Sequence, residues 1–130
     1  MRCEKWHSLG NDYLIIEEGV LPWALSPARV RRLCHRHTGF GADGVLGIAV
    51  ATEPGTVARL RVFNPDGSEA ELSGNGARQA AVYLNHSGWT ERREIYPGGP
   101  REKEYCILHI RRMKGLLREV FAAVRQTAEL

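Results

Sequence analysis

The chain has 130 residues, 43% of them hydrophobic and 25% charged, with a formal charge of +3. That balance fits one globular domain and leaves little chain for a two-lobed enzyme. The longest apolar run, 45–51, is far short of the roughly 20 residues of a membrane span, which argues against a membrane role. The charge excess lies in 91–130, where nine Lys and Arg face six Asp and Glu; without interleaved aromatics such a tail argues against nucleic-acid binding.

The start, MRCEKWHSLG, has no apolar targeting region, and three cysteines (Cys3, Cys34, Cys106) without CxxC spacing suit a reducing compartment. The cytoplasm is the expected location, and the cysteines are expected as small core residues.

In chain order, β-formers between turn signals predict strands at 2–6 and 13–16. Ser26 followed by Pro27 is an N-cap with proline at the first helical position. Val30, Leu33 and Cys34 then recur at helical spacing as far as Gly39. Further strands are predicted at 45–50 and 57–63. In the latter, Ala58, Leu60 and Val62 alternate with Arg59 and Arg61, so one face is buried and the other wet, as in an antiparallel sheet. A second helix starts near Ser73 or Asn75 and runs through Ala77, Ala80, Ala81 and Leu84, with Gly88 as its stop. After the turn Gly98-Gly99-Pro100 comes a fifth strand, 105–110. In 116–130, Leu117, Val120, Phe121 and Val124 have the spacing of an amphipathic helix. The expectation is one lobe over 1–110 and a helical tail over 111–130.

Three polar, glycine-rich stretches carry the candidate chemistry: HSLGNDY (7–13), RHTGFGADGVL (36–46) and FNPDGSEAELSGNGAR (63–78). Their glycines permit close backbone approach, and Asn11, Asn64 and Asn75 offer amide donors and acceptors. Taken one at a time, each is equally a set of turn formers. The third stretch also opens a helix, whose free N–H groups and positive dipole end attract a carboxylate; Ser73 there is at minimum an N-cap. Gly39, Gly41 and Gly44 match G-x-G-x-x-G, but they follow a helix and precede a strand, the reverse of a dinucleotide-binding unit. No P-loop is present. Cys34, His35 and His37 lack the partner ligands of a metal site, so no metal is expected.

In this order and at these separations the three stretches resemble the diaminopimelate epimerase family, whose patterns are similar to HGLGNDF, RHxGIGADG and FNxDGSExExCGNGxR. The resemblance implies an α+β (α/β) lobe, a mostly antiparallel sheet wrapped round a central helix. The family has two such lobes, with substrate held between the helix N-termini, and only the first lies in these residues.

It implies a cofactor-independent amino-acid epimerase that converts LL- to meso-diaminopimelate in lysine biosynthesis, so the expected partner is a small amino-acid substrate. Asn11 and Asn64 would contact its polar groups, Gly74 and Asn75 would offer backbone N–H groups to its carboxylate, and position 73 would be a catalytic base. That position holds Ser73 where the family has cysteine. Epimerisation needs an acid and a base on opposite faces of the α-carbon. A thiol at a helix start titrates below its free pKa of about 8.5, whereas a serine hydroxyl needs its own activating base. No neighbouring His or Lys compensates in sequence. Epimerase activity would then call for a second lobe or a homodimer, and the other expectation is a non-catalytic amino-acid or carboxylate-binding module.

Overall fold

A computed structural model describes residues 2–52, 57–70 and 73–89, together with the backbone of the short strands at 95–96, 106–107, 109–110 and 126–129. Strands β1 (Arg2–Ser8) and β2 (Asn11–Glu17) form a hairpin, and a 3-10 turn (Glu18–Val20) leads to helix α1 (Pro27–Cys34). There follow β3 (Gly44–Ala49), β4 (Arg59–Phe63), β5 (Glu69–Ala70) and helix α2 (Gly74–His86). The remaining strands are β6 (Ile95–Tyr96), β7 (Cys106–Ile107), β8 (His109–Ile110) and β9 (Gln126–Glu129).

The main sheet runs β5-β4-β3-β2-β1-β9, with β7 also paired to β4. All its pairs are antiparallel except β2 with β3. That parallel pair follows from α1, which carries the chain back across the sheet between the two strands, the usual crossover for parallel neighbours.

Strand alternation sorts the core onto two faces. Trp6, Tyr13, Ile15, Leu46, Ile48, Leu60 and Val62 lie under α2, packed with Ala77, Ala80, Tyr83 and Leu84. Leu14, Ile16, Val45 and Phe63 point the other way, to Leu25, Val30 and Cys34 of the α1 side. Covered on both faces, β3 reads as a continuous apolar run, whereas β4 keeps the alternation expected of it. Ala58 just before β4 and Leu60 and Val62 on it are buried, while Arg61 of the opposite set pairs with Glu18 at 3.0 Å and Glu69 at 3.2 Å.

Helix α2 ends as expected, with Gly88 at φ +78°, the left-handed conformation that terminates helices. Cys3 and Cys34 are buried, and desolvation pushes the Cys34 thiol up to about 11.

Two expectations change. The stretch 105–110 is not one strand: Cys106–Ile107 pairs with β4 and His109–Ile110 with β6. The amphipathic helix cannot reach residue 130, because Gln126–Glu129 forms β9 against β1, with Lys5 opposite Gln126 and Arg2 opposite Glu129. The open edge of β1 supplies backbone donors and acceptors that a polar segment can satisfy, and the apolar spacing that suggested a helix stops at Val124. The rest of the predicted tail, 111–125, lies outside the described residues.

The β1–β2 hairpin turns on Leu9 and Gly10, at φ 53° and 81°. Such a two-residue turn asks for positive φ at both positions, which strains a leucine. Leu9 is also 75% exposed, so it returns little burial energy. Leu9→Asn should therefore raise stability by about 0.5–1 kcal/mol, seen as a higher urea midpoint; a lower midpoint would show that Leu9 makes a contact the turn needs.

Candidate functional site

The three glycine-rich stretches meet at one end of the sheet. The register sets Tyr13 beside Gly44 on β3 and Val45 beside Phe63 on β4. The starts of β2 and β3 and the end of β4 therefore share an edge, and α2 begins above it.

Ser73 is the N-cap of α2, in an extended conformation. Its Oγ accepts a hydrogen bond from the Gly76 N–H at 3.0 Å and another from the Tyr13 hydroxyl at 3.0 Å. The helical ladder opens with Ala77 N–H to the Ser73 carbonyl, so the N–H groups of Gly74 and Asn75 precede it and have no intrahelical acceptor. Among the described residues no atom lies within 4 Å of where a Cβ on Gly74 would stand. Gly76, by contrast, packs directly on Leu46, and a Cβ there would come within 3.1 Å of its Cδ2. The helix start is thus held tightly from below and is accessible from above. Its fixed N–H dipoles suit an anion.

Asn11 is tied to this helix through its backbone. The fully buried Gln79 donates from Nε2 to the Asn11 carbonyl at 2.8 Å. Asn64 lies at the end of β4, as the register requires, and its hydrogen bonds fall within its own turn. Its N–H donates to the Ser68 carbonyl, its Nδ2 to Ser68 Oγ, and its carbonyl accepts from Gly67. Asp66 Oδ1 closes the same turn by accepting from the Ser68 N–H at 2.8 Å and its hydroxyl at 2.6 Å. Asn64 is therefore the residue for which turn chemistry accounts for every hydrogen bond seen. The Asn75 Oδ1 accepts a long 3.5 Å contact from Arg78.

The sequence did not single out the latch that joins the first two stretches. Asp12 accepts both Arg36 guanidinium nitrogens, at 2.8 and 3.0 Å, the Asp43 N–H at 2.9 Å, and Lys5 Nζ at 3.3 Å. Asp43 reciprocates, its Oδ2 accepting from the Asp12 N–H at 3.0 Å. Burial alone would raise the Asp12 pKa, but the donors from Arg36, Asp43 and Lys5 outweigh it and hold the carboxyl well below the usual range. These charges are committed to one another and serve to fix the loops around the site. His35 is likewise engaged in structure, its Nδ1 accepting from the N–H groups of His37 and Thr38 just beyond α1.

Tyr13 and Gln79 are the site-shaping residues that sequence reasoning missed. The only signal for Gln79 was a polar side chain on an otherwise alanine-rich helix face. For Tyr13 it was a hydroxyl at a position where the resembled pattern has phenylalanine.

A family model described as diaminopimelate epimerase matches residues 3–111. Diaminopimelate epimerase 2 of Nostoc sp. is 49% identical over 84 residues, covering 65% of this chain and 29% of the relative. The diaminopimelate epimerase of Thioalkalivibrio sulfidiphilus is 41% identical over 111 residues, covering 85% and 38%. The chain thus spans about a third of the length of these relatives. Among solved structures, a probable proline racemase from Agrobacterium radiobacter, with bound carbonate, aligns at a TM-score of 0.53 and 19% identity over 72% of this chain and 32% of that one. A predicted epimerase from Pseudomonas aeruginosa aligns at 0.53 and 16% over 74% and 34%; at such identities the likeness concerns the fold alone. With its helix-start site built on SGNGAR and its family match running from residue 3 to residue 111, this chain belongs to the diaminopimelate epimerase family.

Proposed function

We propose that this chain forms the carboxylate-holding half of a diaminopimelate-type epimerase site, and that residue 73 in it binds substrate without removing the α-proton. The observation that carries the proposal is the environment of Ser73. Among the described residues its hydrogen-bond partners are the Gly76 N–H and the Tyr13 hydroxyl, which as the more acidic of the two hydroxyls donates; neither is a base able to take up the serine proton. What survives is recognition: the Gly74 and Asn75 N–H groups at the open helix start would receive the substrate's α-carboxylate, with Asn11 and Asn64 at the rim for its polar groups. No cofactor enters this chemistry, because a thiolate and thiol on opposite faces suffice in the family's mechanism.

Complete epimerisation would require an opposing lobe or a second copy of this chain to supply the other face. A homodimer would set one Ser73 against another, with no thiol on either side. The neighbouring proposal is a binding module for amino acids or other carboxylates, favoured by the same donor-only surroundings of Ser73. Among the described residues no helix is long and apolar enough to cross a membrane, and we place the lobe in the cytoplasm, where lysine biosynthesis would use it.

The test is a titration of the amide NMR spectrum with diaminopimelate. Shifts confined to Gly74, Asn75 and their neighbours are expected. A spectrum that stays unchanged to millimolar ligand would refute carboxylate holding by this lobe.

A further inference from the structure

We infer that Tyr13 is a positioning residue that sets the polarity of residue 73. It rests on the carboxylate site proposed above, but its geometry stands on its own. A serine Oγ has two lone pairs and one hydrogen. Tyr13 O–H and Gly76 N–H occupy both lone pairs, each at 3.0 Å. The Ser73 hydrogen is then what remains to meet a ligand, so the hydroxyl acts as a donor and selects an acceptor such as an ionised carboxylate.

The tyrosine ring is placed for this by its cross-strand neighbour. Tyr13 pairs with Gly44 in the parallel register, and a Cβ on Gly44 would come within 2.7 Å of the ring at Cε1 and 2.3 Å of the Phe63 carbonyl oxygen. Only glycine leaves the ring this close to β3, with its hydroxyl directed at the start of α2. The ring itself is buried among Trp6, Ile15 and Leu46, which fixes the hydroxyl more firmly than a surface residue could. Tyr13 and Ser73 stand where the resembled patterns carry phenylalanine and cysteine, so the hydroxyl of one appears together with the hydroxyl of the other.

A donor that stabilises a neutral oxygen stabilises a thiolate at the same place more strongly, because hydrogen bonds to charged groups are the stronger kind. This gives a test without substrate. Ser73→Cys is prepared with Tyr13 intact and with Tyr13→Phe, and alkylation of the residue-73 thiol by iodoacetamide is followed against pH, the adduct being located by peptide mass. Buried Cys3 and Cys34 react slowly, and a Cys106 adduct is counted separately. Loss of the phenol should raise the apparent thiol pKa by about one pH unit, so that alkylation at neutral pH slows about tenfold.

A second measurement uses the native serine. In Tyr13→Phe the Gly76 amide, released from an oriented Oγ, should exchange with solvent several-fold faster, while the amides of Leu84 and Ile48 keep their protection. Superimposable alkylation profiles would overturn the inference, as would faster exchange spread along all of α2, which is the mark of a packing role. Neither measurement involves ligand, so failure to bind diaminopimelate would refute the proposed function and leave this inference standing.

Discussion

Truncation of Leu46 to alanine should cost about 3 kcal/mol of folding stability and loosen the start of α2. Leu46 is fully buried on β3, the strand enclosed on both faces, where removing a leucine loses transfer energy and leaves a cavity. The cavity would lie directly beneath Gly76, because the Leu46 Cδ2 supports that turn. The converse change, Gly76→Ala, adds a methyl group 3.1 Å from Leu46 Cδ2 and 3.1 Å from Ser73 Cβ, a contact tight enough to cost about 1 kcal/mol or more. In the double variant the methyl group gains space on one side, so the two costs should add to less than their sum. Urea unfolding of the four proteins measures this. Strict additivity would mean that Leu46 and Gly76 do not share the space assigned to them.

Replacing Asp12 by alanine should cost about 2 kcal/mol at neutral pH. The change removes the acceptor for two Arg36 nitrogens and leaves the Asp43 N–H with the Asp12 carbonyl alone. The figure is held down because the Arg36 side chain is half exposed and recovers much of its solvation in water. Its pH dependence has a definite sign. Asp12 titrates below its ordinary 3.8 in the folded chain, so its contribution is present above the unfolded value and disappears as pH falls through the folded one. The gap between wild type and Asp12→Ala should therefore be constant from pH 7 to about 5 and narrow progressively below pH 3.8. A gap that widened on acidification would mean that the latch is not held by the ionised carboxylate.

These variants touch what was hardest to see in the sequence. The Ser26-Pro27 start of α1, the alanine face of α2 and the glycine stop at residue 88 are local signals, each set by capping or helical spacing, and the structure carries all three. Alternation on β4 was legible for the same reason. The Asp12–Arg36–Asp43 latch was not, because its partners are 24 and 31 residues apart and nothing local in HSLGNDY distinguishes a ligand-facing aspartate from one locked to an arginine. Asn64 shows the reverse difficulty, since the sequence could not show that its amide also bonds within its own Asn-Pro-Asp-Gly-Ser turn.

The strand at Gln126–Glu129 depends on the edge of β1, more than a hundred residues away, and helical periodicity upstream says nothing about such pairing. The Tyr13 hydroxyl was visible as a letter, yet its meaning needed the parallel register that lays the ring over Gly44 and aims it at Ser73. The helix start at Ser73 was readable because capping is a local property of that one turn; its use for a carboxylate remains the proposal made above.

The central claim is that this lobe keeps the family's carboxylate grip while residue 73 has lost the base. Incubation of the unmodified chain with diaminopimelate in deuterium oxide, beside Ser73→Cys and with the oligomer mass measured for both, tests it most directly. The account predicts no deuterium at the α-carbon with the serine protein. Deuterium incorporated by the unmodified chain above the buffer rate would contradict it.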